Sequence, residues 1–185
     1  MPHIEIPSHL PGVRGLMASK PASGLQLGAL AEQLLRGVSP LSVGERELIA
    51  AYVSHRNQTR YCAGAHGAAA AHALGGDHAL VEAVQQGPAT APIDERMRAL
   101  LAIAEKVRGD ARSVTSQDVA AARAAGASDE AVHDTVLIAA AFCMFNRYVD
   151  GLAAITPEDP AVYDEIGAAL VANGYLPRGG PAPSP

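Results

Sequence analysis

SVGERELIAAYVSHRNQTRYCAGAHGAAAAHAL, residues 42–74, is the stretch on which the fold turns. Ser42 followed by Glu45 fits a capping box, in which each side chain covers an otherwise unpaired backbone N–H of a helix start. From there Leu48, Ile49, Tyr52 and Val53 recur at helical spacing. A break at Asn57–Thr59 leads into a second helical run, Cys62–Leu74, made mostly of Ala and Gly and closed by Gly75-Gly76. Ala68–Ala71 and Ala73 leave little side-chain volume, so neighbouring helices must approach closely. Either a tight core or a subunit interface satisfies that demand.

The same period extends in both directions. Apolar residues at 27, 30, 31, 34 and 35 predict a helix over 25–36, ended by Gly37. Further helices are predicted over 77–86, 93–108, 116–125, 128–155 and 161–173, the long one stopped by Pro157. The 93–108 segment carries the clearest stripe: Met97, Leu100, Leu101, Ala104 and Val107. No strand-like alternation is present, so the fold class is all-α. The expected organisation is a single helical bundle over 24–177. An extended proline-punctuated arm over 1–23 precedes it, and a flexible tail over 178–185 follows.

Composition agrees and excludes several functions. The chain has 185 residues, enough for one domain with a real core, and is 49% hydrophobic but only 4% aromatic. Alanine, the best helix former, supplies much of the apolar share. The net charge is -5 and the 14 basic residues are scattered, which argues against a nucleic-acid partner. No apolar run is long enough to span a bilayer, so no membrane partner is expected. The opening residues, MPHIEIPSHLPGVRGLM, lack the basic and apolar regions of a signal peptide, so the expected location is cytoplasmic. With 2 cysteines, Cys62 and Cys143, a disulfide scaffold is excluded.

Chemistry concentrates between positions 47 and 66. Cys62 and His66 are one helical turn apart on one face. Cys62 falls in the first turn, where the helix dipole favours a thiolate, and an imidazole nearby can accept the thiol proton. Glu47 on the preceding helix can orient that imidazole. Read on spacing alone, Cys62 is more often a small buried hydrophobe than a nucleophile. His55 shares a helix with Glu47 and faces the site or solvent; His72 and His78 do not share the His66 face. Thiolate, imidazole and carboxylate are all zinc ligands, but the second ligand pair of a structural zinc site is missing, so neither a metal nor a cofactor is expected.

The order Glu47, eleven residues, Thr59, two residues, Cys62, three residues, His66 resembles the signature of the alkyl hydroperoxidase D and carboxymuconolactone decarboxylase family. PGVRGLM, SVGERELIAAYVS, YCAGAHGAAAAHALG and FNRYVDGLA carry the likeness further, over roughly residues 10–175. The resemblance implies an all-α homo-oligomer, a trimer or hexamer, and a thiol peroxidase activity. In that activity a CxxC pair reduces peroxide while Glu and His relay protons. Carried over by position, Glu47 and His66 are the relay and Cys62 is the attacking thiol.

Thr59 stands where the family's resolving cysteine would be, and a hydroxyl cannot form a disulfide. A sulfenic acid at Cys62 would need an external thiol reductant or Cys143, itself in the apolar run IAAAFCMF and read first as a core thiol. Tyr61 replaces a histidine that some relatives use. In FNRYVDG, Asn146, Arg147 and Asp150 are expected in interhelical polar contacts, with Arg147 the candidate to meet an anionic substrate. Three functions follow as expectations. The first is a thiol-dependent peroxidase acting through Cys62. The second is a lyase or hydrolase of a small lactone acid, in which Glu47 and His66 move protons and Cys62 only lines the pocket. The third is a non-catalytic helical oligomer.

Overall fold

The computed structural model describes residues 1–176, so the tail expected over 178–185 lies outside the described residues. Among them the elements are α1 (Val13–Ser19), α2 (Pro21–Arg36), α3 (Val43–Arg56), α4 (Arg60–Ala73), α5 (His78–Gln86) and α6 (Glu95–Asp110). A 3₁₀ turn at Ala111–Ser113 follows, then α7 (Ser116–Ala124), α8 (Asp129–Gly151) and α9 (Pro160–Asn173). No strand occurs among the described residues, and none of the helices is long and apolar enough to cross a membrane.

Helix α3 is the axis of the bundle. Its Ser42–Glu45 capping box is formed as the sequence predicts, and Glu47 to Ser54 are all buried. Arg46, also buried, turns back to give hydrogen bonds to the Leu34 and Gly37 carbonyls at 3.3 and 2.8 Å. A cation thus covers the carbonyls that α2 leaves unpaired at its C-terminus. Helix α4 packs between α3 and α9, while α8 lies across α3 and α6. The alanine run is core within one chain: Ala69, Ala70 and Ala71 are wholly buried. Close approach is enforced from both sides. A Cβ on Gly64 would sit 2.7 Å from the Tyr163 ring, and one on Gly167 would sit 2.5 Å from Ala68. Gly75 and Gly76 end α4 with φ of 78° and 90°, conformations that an L side chain resists.

Two departures from expectation concern the chain ends. The arm expected to be extended over 1–23 is irregular only to Gly12; α1, Lys20 and the first three residues of α2 occupy the rest. Pro21 opens α2 in its first turn, where a missing N–H costs nothing, so it starts a helix rather than preventing one. Leu16 is buried and anchors α1. The second departure is α8, which ends at Gly151 rather than continuing to 155. The carbonyls of Leu152 and Ile155 instead accept from His3 and Gly12 of the N-terminal segment, at 3.0 and 2.8 Å. Gly12, with φ of 59°, lies so close to the Tyr61 ring that a Cβ there would sit 2.0 Å from it. The N-terminal segment and α1 therefore become a wall of the candidate site.

Candidate active site

Glu47 and His66 face each other across the α3–α4 contact, with His66 Nδ1 2.8 Å from Glu47 Oε2. The carboxylate is completely buried, and two further groups reach its other oxygen. Arg36, from the last turn of α2, makes an ion pair with Oε1 at 2.7 Å. Tyr175, beyond α9, donates its hydroxyl to the same oxygen at 2.6 Å. Burial alone would raise the Glu47 carboxyl, but the His66 hydrogen bond and charge, Arg36 and the Tyr175 hydroxyl together hold it below the ordinary carboxylate range. Glu47 is thus the anion of the site. Its pull holds a proton on Nδ1, so that in the uncharged tautomer Nε2 carries the free lone pair. No described protein group bonds Nε2. The imidazole is held flat against the Tyr175 ring, centroids 5.9 Å apart and planes 9° apart, and meets the edge of Phe142 at 4.6 Å.

His66 lines a cavity of about 800 Å³ between α1, α2, α8 and α9. Its walls are apolar: Met17, Tyr61, Phe142, Phe145, Ile166 and Leu170. Arg14, exposed on α1, also lines it and forms no ion pair among the described residues. An apolar chamber with a base on its wall and a free cation at its edge suits a small organic acid.

Cys62 stands apart from this arrangement. Its thiol is buried and makes no hydrogen bond to His66 among the described residues, although the two are one turn apart. It packs with Leu16, Tyr61, Ala65, Val149 and Tyr163. Burial pushes the thiol up to about 12; a hydrogen bond from Asn146 opposes the shift and the charge of Asp150 adds to it. The helix-dipole effect expected to favour a thiolate is outweighed by desolvation and by that carboxylate. Thr59 explains the carboxylate's position. The residue is buried at the N-terminal cap of α4, yet its hydroxyl makes no capping bond. It donates instead to Asp150, tying α4 to α8. The departure from the family motif is therefore a structural link that acts against thiolate formation beside it.

The other expected residues separate in the same way. Asn146 joins α8 to α3, accepting from Asn57 at 2.8 Å and donating to Ser54 at 3.0 Å. Cys143 is half-buried, a free thiol that accepts from Asn57 at 3.6 Å. Tyr61 is buried, and desolvation raises its phenol far above the ordinary value, so it is a packing group rather than a base. His55 is exposed on α3. Arg147 is exposed and folds back to donate to the Cys143 carbonyl at 2.9 Å, so it does not line the cavity. Arg36, Tyr175 and Arg14 are the functional candidates that sequence reasoning missed. The only sequence signal for them was their position: Arg36 in the last turn of a helix, Tyr175 after a helix-ending Gly174, and Arg14 in a segment read as an arm.

Residues 21–106 match the carboxymuconolactone decarboxylase family. The crystal structure of an uncharacterized peroxidase-related protein from Silicibacter sp. TM1040 aligns with a TM-score of 0.76 and 32% identity, covering 83% of this chain and 78% of that one. An uncharacterized peroxidase-related protein from Ralstonia eutropha JMP134, an alkylhydroperoxidase AhpD core, aligns with a TM-score of 0.77 and 27% identity, covering 90% and 95%. No curated protein matches the chain. With the family match running from α2 into α6, and a relative of this identity covered over most of its length, the chain belongs to the carboxymuconolactone decarboxylase family.

Proposed function

We propose that this chain is an enzyme in which His66, oriented by Glu47, moves a proton on a small, mainly apolar carbonyl acid, a lactone acid in the simplest case. The observation that carries this reading is the Arg36–Glu47–His66 chain, centred on a fully buried carboxylate and ending on the cavity wall, with Nε2 unpartnered among the described residues. An imidazole whose Nδ1–H is held by a carboxylate presents Nε2 as a general base, and the imidazolium formed on proton uptake is stabilised by Glu47. Tyr175 keeps the carboxylate in place and closes the site beside the imidazole. Arg14 supplies charge for the substrate's carboxylate while the aromatic and aliphatic walls take its body.

The test is turnover of a panel of lactone acids. His66→Ala should cost about 10²–10⁴ in kcat, the usual worth of a positioned base. Arg14→Ala should raise KM with little change in kcat, because it binds the carboxylate equally in ground and transition states. Turnover unchanged in His66→Ala overturns the reading.

A second reading is supported by the peroxidase-related neighbours and by Cys62 lying one turn before His66. Here the Cys62 thiolate attacks the outer oxygen of an organic hydroperoxide, the O–O bond breaks, the alcohol leaves with a proton from His66, and an external thiol reduces the resulting sulfenic acid because Thr59 supplies no second sulfur. This reading requires hydroperoxide consumption that depends on added thiol and is abolished by Cys62→Ser.

A further inference from the structure

A second cluster of chemically capable side chains lies outside the cavity, where three helices meet. His72 is in the last turn of α4, His78 opens α5 and Asp164 lies on α9. We propose that these three residues form a divalent-metal site, with zinc the ion whose ligand chemistry they fit.

Their ligand atoms all lie within 4.8 Å of one another. His72 Nε2 is 2.9 Å from Asp164 Oδ1, and His78 Nε2 is 3.7 Å from the same oxygen. Two ligands of a tetrahedral zinc ion at its usual bond lengths sit ~3.3 Å apart, between those two values. The two imidazoles stand edge-to-face, at 79° and with centroids 5.9 Å apart, so their nitrogens converge on the carboxylate without stacking. Two histidines and one carboxylate, with a fourth position open to water, form a recurrent donor set for zinc, and the absence of a thiolate disfavours the softer ions. The C-terminal end of α4 carries the negative end of its dipole, which favours a cation at His72.

The consequence is mechanical. The ion ties α9 to the ends of α4 and α5. Helix α9 also packs along α4 through Gly167 and supplies Ile166 and Leu170 to the cavity. Metal at this site therefore fixes the element that forms one cavity wall and leads into Tyr175. The residues are half-buried or exposed, so the ion enters from solvent and no buried group must open to admit it.

The test is titration of the metal-stripped full chain with Co(II), then displacement by Zn(II). One ion per chain is expected, with the intense visible absorption of tetrahedral Co(II), together with a Zn(II)-dependent rise in Tm because the ion binds only the folded state. His72→Ala, His78→Ala and Asp164→Asn should each weaken binding at least about tenfold and abolish the Tm rise, while the exposed His133→Ala on α8 should change neither. Helical circular dichroism establishes that each variant is folded. Absence of binding to the wild type, or equal binding by the three variants, overturns the proposal and leaves a surface His–Asp contact.

Discussion

The Cys62 thiol offers the sharpest quantitative prediction. Burial pushes its pKa up from 9 to about 12, equivalent to about 4 kcal/mol against the thiolate. At pH 7 the thiolate fraction is then on the order of 10⁻⁵, against roughly 1% for an unburied thiol titrating near 9. Nucleophilicity rises with basicity, with a Brønsted slope of about 0.45, which returns about 1.4 of the roughly 3 lost decades. Alkylation of Cys62 at pH 7 should therefore run about 50-fold slower than that of a small free thiol, before burial slows it further. The assay is iodoacetamide labelling of a Cys143→Ser variant, followed by mass spectrometry from pH 6 to 11. The rate should climb through pH 10 without a plateau. Asp150→Asn, which removes the carboxylate that raises the thiol, should move the profile to lower pH. A plateau at or below pH 8 would refute the reasoning and make Cys62 an activated nucleophile.

Three further outcomes follow from the packing and the charge chain. Tyr175→Phe keeps the ring against His66 but removes the hydroxyl bonded to Glu47, and should lower stability by about 1.5–3 kcal/mol in urea unfolding; an unchanged midpoint contradicts the bond. Glu47→Gln leaves Arg36 without its carboxylate and should cost about 3–5 kcal/mol. Because the folded carboxyl is held below its unfolded value, Glu47 stabilises the protein above about pH 4, and that contribution is lost as pH falls through the folded pKa. The wild type should therefore lose stability in that acid window more steeply than Glu47→Gln, and parallel curves would contradict the assignment. Gly167→Ala would place a Cβ 2.6 Å from the backbone of Ala68 and Ala69. Overpacking of about 1–3 kcal/mol should outweigh the about 1 kcal/mol that alanine gains in a helix, so equal or greater stability in urea would contradict the close approach of α9 to α4.

The helices were legible because their signals are local. The Ser42–Glu45 box, the apolar stripe from Met97 to Val107 and the Gly75-Gly76 stop each depend on neighbours within a turn or two, and each forms as read. Helix α1 was not legible, because a short helix held by one buried leucine under a proline-punctuated segment has little local pattern of its own. The Glu47–His66 contact was suggested by spacing and resemblance together, but its other half was hidden. Arg36, Tyr175 and Arg14 are brought to the site by tertiary packing, which no short-range pattern encodes. The Cys62–His66 spacing holds as geometry, without a hydrogen bond between the two side chains among the described residues. A shared helix face fixes where two side chains emerge, whereas the partners waiting there come from other helices. Helix α8 places Asn146 and Asp150 beside the thiol, and α3 places Glu47 beside the imidazole. The His72–His78–Asp164 cluster was invisible for the same reason, its carboxylate lying 92 residues from His72 in sequence.

On the proposed function, His66 and Glu47 form the chemical centre and Cys62 is a packing thiol. The most direct test compares Cys62→Ser and His66→Ala side by side on lactone acids and on an organic hydroperoxide with added thiol. Lactone-acid turnover should be retained in Cys62→Ser and lost in His66→Ala. Thiol-dependent hydroperoxide consumption by the wild type that Cys62→Ser abolishes, with no lactone-acid turnover, would contradict it.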